Sequence, residues 1–61
     1  MNKQQIKAEL RRSACEDKDP IIGLNQDAWT FLLKNGYREY YSDLDEIDDW
    51  RFFFLLVAEA L

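Results

Sequence analysis

The chain has 61 residues, one cysteine, no histidine and a formal net charge of −4. Its length excludes a second domain, its single thiol excludes an internal disulfide, and the lack of histidine removes the ligand set of a structural zinc site. Its acidic balance disfavours nucleic acid as a partner, because phosphate contacts supply most non-specific affinity. A domain of this size is marginally stable alone, so the composition favours association with a second copy.

The first predicted helix covers residues 3–16, which are almost all good helix formers. Ile6, Leu10 and Ala14 recur at intervals of four and predict a narrow apolar stripe on one face. A neighbouring face carries four bases, which are Lys3, Lys7, Arg11 and Arg12. Such bases are typical of a solvated face that complements acids elsewhere in the chain. The alternative is a basic recognition helix that contacts nucleic acid.

A break in the helical pattern follows at residues 17–25, where Pro20 and Gly23 favour a turn. Ile21, Ile22 and Leu24 in this loop are predicted to be tucked under the helices. Their exposure as a docking loop is the alternative interpretation.

The second predicted helix covers residues 26–35. Asn25 has the form of an N-cap, and the Asn35-Gly36 pair suits a left-handed C-terminal cap. The segment Tyr37–Tyr41 is ambiguous, because its β-propensity is high but no second strand exists to pair with it. We interpret it as a connector or as the start of a fused long helix.

The third predicted helix covers residues 43–60, and Ser42 with Asp45 has the form of a capping box at its start. The last twelve residues of the chain contain only two polar side chains, so this helix is apolar nearly all round. It must therefore be enclosed by other helices, from the same chain or from a second copy. We predict an all-α fold, a small three-helix domain over residues 1–61 whose long C-terminal helix is central to a homodimeric helical bundle. The predicted dimer interface consists of Ile47, Trp50, Phe53, Phe54, Val57 and Leu61.

An acidic run at the start of the last helix supplies the candidate partner-binding residues, Asp43, Asp45, Glu46, Asp48 and Asp49. Carboxylates facing a basic partner would speed and orient association. Negative charge is also favoured at any helix N-terminus, so helix-start chemistry alone is the competing explanation. The run lacks the glycine-hinged ligand spacing of a calcium loop, and we predict neither a metal nor a cofactor.

Catalytic chemistry has little support in this sequence. The lack of histidine removes the commonest general base, and no glycine-rich phosphate loop occurs. Cys15 has only Arg11 and Arg12 nearby to activate it and is predicted to be a buried small hydrophobe. We therefore predict that the protein is not an enzyme. Five aromatic residues are assigned to the core or to a subunit interface in preference to base stacking, namely Trp29, Tyr37, Tyr40, Tyr41 and Trp50.

Two segments, LRRSAC (Leu10–Cys15) and AWTFLLKNGYREYY (Ala28–Tyr41), carry a resemblance to a known group of proteins. In an acidic chain of this length they are similar to the small open-reading-frame proteins of the early exo–xis region of lambdoid bacteriophages. The resemblance implies a small helical, dimeric, non-enzymatic accessory protein, expressed early in infection and affecting the host cell or the choice between lysis and lysogeny. It implies no catalytic residues.

The functional prediction is a non-enzymatic accessory or regulatory protein that modulates host or phage development through protein–protein interaction. The alternative is a nucleic-acid-linked transcriptional regulator that uses its basic N-terminal helix, duplicated in a dimer. The start of the chain leads into no apolar leader region, and the C-terminal apolar run is shorter than the roughly 20 residues that span a bilayer. These features predict a cytoplasmic protein without membrane contact.

Overall fold

The computed structural model describes all 61 residues and consists of helices and short connections. The elements in chain order are α1 (Lys3–Cys15), α2 (Pro20–Gly23), α3 (Gln26–Lys34), a 3-10 helix that we call the 3-10 segment (Tyr37–Asp43), and α4 (Ile47–Ala60). The all-α prediction is therefore confirmed. None of these helices combines the length and the apolar character needed to cross a bilayer.

The core lies mainly between α1 and α4, which share the largest interface in the molecule, while α3 packs against α1 and the 3-10 segment. The stripe of Ile6, Leu10 and Ala14 predicted on α1 is buried, which confirms that this face points inward. From α4, the ring of Phe54 is completely buried. The remaining core residues are Leu24, Ala28, Leu32, Phe53, Val57 and Ala58.

The ends of α1 and α3 agree with the predicted ends to within one residue, because local capping sets them. The side chain of Asn25 accepts a hydrogen bond from the Asp27 N–H at 2.8 Å, as an N-cap does. Gly36 adopts the predicted left-handed conformation, with φ of 79°. A capping box that the sequence analysis missed starts α1, where Asn2 and Gln5 exchange side chain to backbone hydrogen bonds of 2.9 Å.

The start of α4 was predicted wrongly. This helix begins at Ile47, and Ser42 lies inside the 3-10 segment, so it caps nothing in α4. The carboxylate of Asp49 accepts hydrogen bonds from the N–H groups of Glu46 at 3.2 Å and Asp45 at 3.3 Å. The helix therefore does start within the acidic run. The carboxylate that caps it belongs to Asp49, whereas the sequence predicted Asp45, four residues earlier.

The 3-10 segment resolves the ambiguity at Tyr37–Tyr41, which is neither a strand nor part of α4. Leu44, directly after the segment, has extended backbone angles that separate it from α4. Runs of 3-10 helix longer than about four residues are uncommon. This one is held by ring contacts to α4, with centroid distances of 6.0 Å between Tyr37 and Phe53 and 5.1 Å between Tyr41 and Trp50.

The loop between α1 and α3 also differs from its prediction. Asp19 accepts a hydrogen bond from the Ile21 N–H at 3.0 Å and caps the short helix α2, whose first residue is Pro20. Pro20 is the buried residue of α2, and its carbonyl accepts a hydrogen bond of 2.9 Å from the Ser13 hydroxyl. Ile22 is 84% exposed and Ile21 is also exposed. The prediction that these residues are tucked under the helices is therefore wrong for both isoleucines, but it is confirmed for Leu24, which is buried in the core.

Arg51 joins α4 to the end of α1. Its guanidinium donates hydrogen bonds to the carbonyls of Ala14 at 2.9 Å and Glu16 at 2.5 Å, and to that of Lys18 at 3.2 Å. Carbonyls at the end of a helix have no partner within the helix, and a positive charge there also complements the helix dipole. Arg51, the one base of α4, therefore lies on the side of the helix that faces α1 and donates its hydrogen bonds there.

A second long-range network joins α1 to the start of α3. The Glu9 carboxylate accepts hydrogen bonds from the Arg12 guanidinium at 2.5 and 2.8 Å and from the Asn25 N–H at 2.8 Å. Arg12 also donates to the Gly23 carbonyl at 2.7 Å and pairs with Glu16 at 2.6 Å. The hydrogen bond from Arg12 holds the pKa of Glu9 below its usual range; burial opposes this shift and the Asn25 N–H adds to it.

Seven of the nine aromatic rings form one cluster between α3, the 3-10 segment and α4; they are Trp29, Tyr37, Tyr40, Tyr41, Trp50, Phe53 and Phe54. Trp29 presents its ring at steep angles to Tyr41, Trp50 and Phe54, with centroid distances of 5.7 to 5.8 Å. The core assignment is confirmed for Trp29, Tyr37, Tyr41 and Trp50, which pack against the buried residues. The buried hydroxyl of Tyr41 has no hydrogen-bond partner, and burial raises the pKa of this tyrosine.

We predict that Glu9→Gln lowers the free energy of unfolding at neutral pH by about 1 to 2 kcal/mol, since hydrogen bonds to a charged group are lost or weakened. Because the folded pKa of Glu9 lies below its unfolded value, its stabilisation is complete above the unfolded pKa and is lost as the pH falls toward the folded pKa. Thermal unfolding followed by circular dichroism from neutral to acidic pH should therefore show the stabilities of wild type and Glu9→Gln converging below the usual glutamate pKa of 4.5. The exposed Glu39 supplies the control Glu39→Gln, and an equal loss in both variants would contradict the role of the network.

We predict that Tyr41→Phe leaves stability unchanged or raises it by up to about 1 kcal/mol, because the substitution removes a buried hydroxyl without a partner. Tyr40→Phe is the matched control, since the Tyr40 side chain is 49% exposed and its hydroxyl can reach water. Thermal midpoints of the two variants check this, with about 4 to 8 °C expected per kcal/mol in a domain of this size. A clear destabilisation by Tyr41→Phe alone would mean that the hydroxyl does have a partner.

Candidate protein-interaction surface

From Phe52 to Ala60, the solvent-facing side of α4 is apolar except for Glu59, which is exposed. Phe52 is 63% exposed, Leu56 is 53% exposed, and Leu55 is also exposed. Residues three and four apart share one face of a helix, so these side chains and Ala60 form one continuous strip, which we call the apolar face of α4. Contiguous exposed apolar residues of this kind mark interaction surfaces in soluble proteins.

Two shallow depressions lie beside this face, between α4 and the 3-10 segment, and share Tyr40, Phe53 and Leu56. The first has a volume of about 230 Å³ and is lined by Tyr37, Tyr40, Phe53, Leu56, Val57 and Ala60. The second has a volume of about 200 Å³ and is lined by Tyr40, Asp43, Leu44, Asp49, Phe52, Phe53 and Leu56. The two depressions adjoin at these shared residues, and we call the pair the apolar groove.

The two ends of the apolar groove differ in charge. The end toward the C-terminus of α4 is lined only by apolar and aromatic residues, whereas Asp43 and Asp49 line the other end. Asp48 is close by on α4, with its side chain 92% exposed and 3.8 Å from the Arg51 guanidinium. Arg38, the only base of the 3-10 segment, lines neither depression. The groove therefore combines an apolar floor with a negatively charged end.

The candidate partner-binding acids are all exposed, as a surface role requires, but they are not equivalent. Asp43 and Asp49 line the groove, and one oxygen of Asp49 is also used to cap α4. Asp45, Glu46 and Asp48 surround the start of α4 outside the groove. No three acidic or thiol side chains converge in an arrangement that could hold a metal ion.

The predicted dimer residues divide between the core and the surface. Phe53, Phe54 and Val57 are buried within the single chain, and Trp50 and Leu61 are half-buried and pack against the same core. Ile47 remains 47% exposed. The predicted seam is thus largely covered by α1, α3 and the 3-10 segment, and the homodimer stays a prediction. A second copy would meet the opposite side of α4, which is its apolar face.

The basic residues predicted to contact nucleic acid also divide into two groups. Lys3 and Arg11 are exposed and Lys7 is half-buried, and none of the three forms an ion pair. Arg12 donates hydrogen bonds to Glu9, Glu16 and the Gly23 carbonyl, and those that the two carboxylates accept raise the pKa of Arg12 above its usual range. Only three of the four bases are therefore free on this face.

Cys15 is exposed at the end of α1, so the prediction that it is a buried small hydrophobe is wrong. The face of α1 that enters the core contains Ser13 and Ala14, and the next residue turns outward. Tyr40, assigned from the sequence to the core or a subunit interface, is exposed and lines the groove. Sequence reasoning missed the groove residues Phe52 and Leu56 as site residues. The signal for them was the apolar character of the last helix on every side, which one small chain cannot cover.

Comparison of the chain with protein-family models, with curated proteins and with solved structures found no match. The apolar groove with its acidic end is accordingly the feature from which a function can be argued.

Proposed function

We propose that this protein is a non-enzymatic interaction module that binds a segment of another protein in the apolar groove. The observation that carries the proposal is the position of exposed Leu56 and Phe52 beside a groove that ends at Asp43 and Asp49. An apolar centre with charged residues at its rim is the usual anatomy of a protein–protein interface. Tyr40, half-exposed on the opposite wall, adds a side chain of a type enriched in interface hot spots.

The dimensions of the groove favour a peptide segment over an enclosed small molecule. Its two depressions, of about 230 and 200 Å³, are each smaller than the roughly 300 to 1,000 Å³ of typical small-molecule sites. Their linings contain aromatic, aliphatic and carboxylate side chains but no pairing of a nucleophile with a base. Side chains from one segment could fill both depressions in sequence while its backbone remained at the surface.

The biological setting of the proposal follows from the resemblance to small early proteins of lambdoid phages. In that setting the partner is a protein of the bacterial host or of the phage, and binding modulates host physiology or phage development in the cytoplasm. The nucleic-acid alternative has weaker support, because Arg12 is engaged within the chain and the whole molecule carries a net charge of −4.

We predict that Leu56→Gln abolishes partner binding, because it places an amide in an apolar contact while changing neither the charge nor the helix propensity of α4. Leu33→Gln is the matched control: Leu33 is 50% exposed, Leu56 is 53% exposed, and Leu33 lines no part of the groove. Wild type and both variants, immobilised at equal density, are used for affinity capture from bacterial lysate with quantitative mass spectrometry. Circular dichroism first verifies that all three are equally folded.

The expected result is a protein captured by wild type and by Leu33→Gln but not by Leu56→Gln. Identical capture by all three proteins would contradict the proposed role of the groove.

The homodimer predicted from the sequence is the competing occupant of the same surface. A second copy seated on Phe52 and Leu56 would also cover the apolar face of α4 and would leave no groove free for a partner. Light scattering across a dilution series, on wild type and Leu56→Gln, distinguishes the two. A wild-type dimer that Leu56→Gln converts to a monomer would assign this face to self-association.

A further inference from the structure

We infer that the groove accepts a basic amphipathic helix, whose apolar residues fill the two depressions and whose lysine or arginine side chains face Asp43 and Asp49. The inference rests on the function proposed above and specifies the chemistry of the partner. Three properties of the surface lead to it: its length, its charge, and its poor match to any surface of a second copy.

The length of the groove matches a short helix. Its α4 wall runs from Asp49 to Ala60, which at 1.5 Å per residue is about 16 Å, or three helical turns. The ridge shared by the two depressions, formed by Tyr40, Phe53 and Leu56, separates two places for side chains. A helix that binds in a groove presents its anchors at positions i, i+3 or i+4, and i+7, which supplies one group of apolar side chains on each side of such a ridge.

The charge of the surface selects a basic partner. Asp43 and Asp49 line one end of the groove, and the neighbouring Asp48 is almost fully exposed. Asp48 lies 3.8 Å from the Arg51 guanidinium, but neither Asp43 nor Asp49 forms an ion pair, and Arg38 lies outside the lining. Lysine or arginine on the partner would therefore meet negative charge that is not neutralised within the chain, which favours association and fixes its direction.

The same charge disfavours a second copy as the occupant. A two-fold contact with parallel α4 helices would bring the carboxylates of Asp43, Asp48 and Asp49 together from both chains. With antiparallel α4 helices, these carboxylates would face the apolar end of the other groove, whose lining contains no base to pair with them. The basic face of α1 on a second copy is also a poor match for the groove. Its free bases, Lys3, Lys7 and Arg11, have no large apolar neighbour on the exposed side of α1 to enter the depressions.

The inference can be tested by selection from a yeast-displayed library of random peptides of about 14 residues, a length that spans the groove as a helix. Folded wild-type protein is the probe, at low ionic strength so that charge pairing is not screened. Enriched peptides are then synthesised, and their affinities are measured by fluorescence anisotropy for wild type, Leu56→Gln, Leu33→Gln and two variants of Asp43. Asp43 is chosen over Asp49 because Asp49 also caps α4.

We expect enriched peptides with apolar residues at helical spacing and lysine or arginine at one end. Their affinity should fall at least about tenfold with Leu56→Gln and about two- to fivefold with Asp43→Asn, as for an exposed charge pair. It should fall further with Asp43→Lys and with added salt, and stay unchanged with Leu33→Gln.

The possible failures separate the two proposals. Enriched peptides that are acidic, uncharged or extended in pattern, or that bind Asp43→Lys as well as wild type, would overturn the basic helix while leaving the interaction function intact. Peptides that never distinguish wild type from Leu56→Gln would overturn the groove itself. A wild-type dimer in light scattering that Leu56→Gln dissociates would show that a second copy occupies the face.

Discussion

The structure depends on how α4, a helix that is apolar on nearly every side, is covered by a chain of only 61 residues. One side packs against α1, where Phe54 is completely buried. Truncating a buried phenylalanine costs about 3 to 5 kcal/mol, which is comparable to the entire free energy of unfolding of a small domain. The 3-10 segment covers a second side with the rings of Tyr37 and Tyr41. These elements leave Phe52 and Leu56 exposed.

Charge determines what this uncovered side can do. An exposed apolar strip would ordinarily promote self-association. Here the strip begins among the acids at the start of α4, and the only base of the helix, Arg51, is committed to the end of α1. Arg51 therefore holds α1 against α4. Because its side chain points there, it forms no ion pair with Asp43 or Asp49. The packing of α1 on α4 and the negative charge of the groove thus both depend on the hydrogen bonds from Arg51 to the end of α1.

Features that depend on residues a few positions apart were determined by the sequence itself. The helical character of the chain, the ends of α1 and α3, the cap at Asn25 and the left-handed Gly36 all follow from local hydrogen bonding and backbone sterics. The inward-facing stripe of α1 follows from periodicity alone, because a single apolar face can only point to the core. An acidic surface near the start of the last helix was also evident, since Asp43 and Asp49 are exposed in the fold.

Tertiary structure decided the features that depend on which surfaces meet. Periodicity identified α4 as apolar on nearly all sides but could not specify that Phe54 is buried in contact with Trp29 while Phe52 faces solvent. The 3-10 segment, and with it the later start of α4 and one wall of the groove, exists because Tyr37–Tyr41 packs its rings on α4, a contact that no local propensity encodes. Glu9 and Arg51 each bind backbone groups at least 16 residues away. Contacts at that separation are created by the packing of whole helices, so the sequence alone could not reveal them.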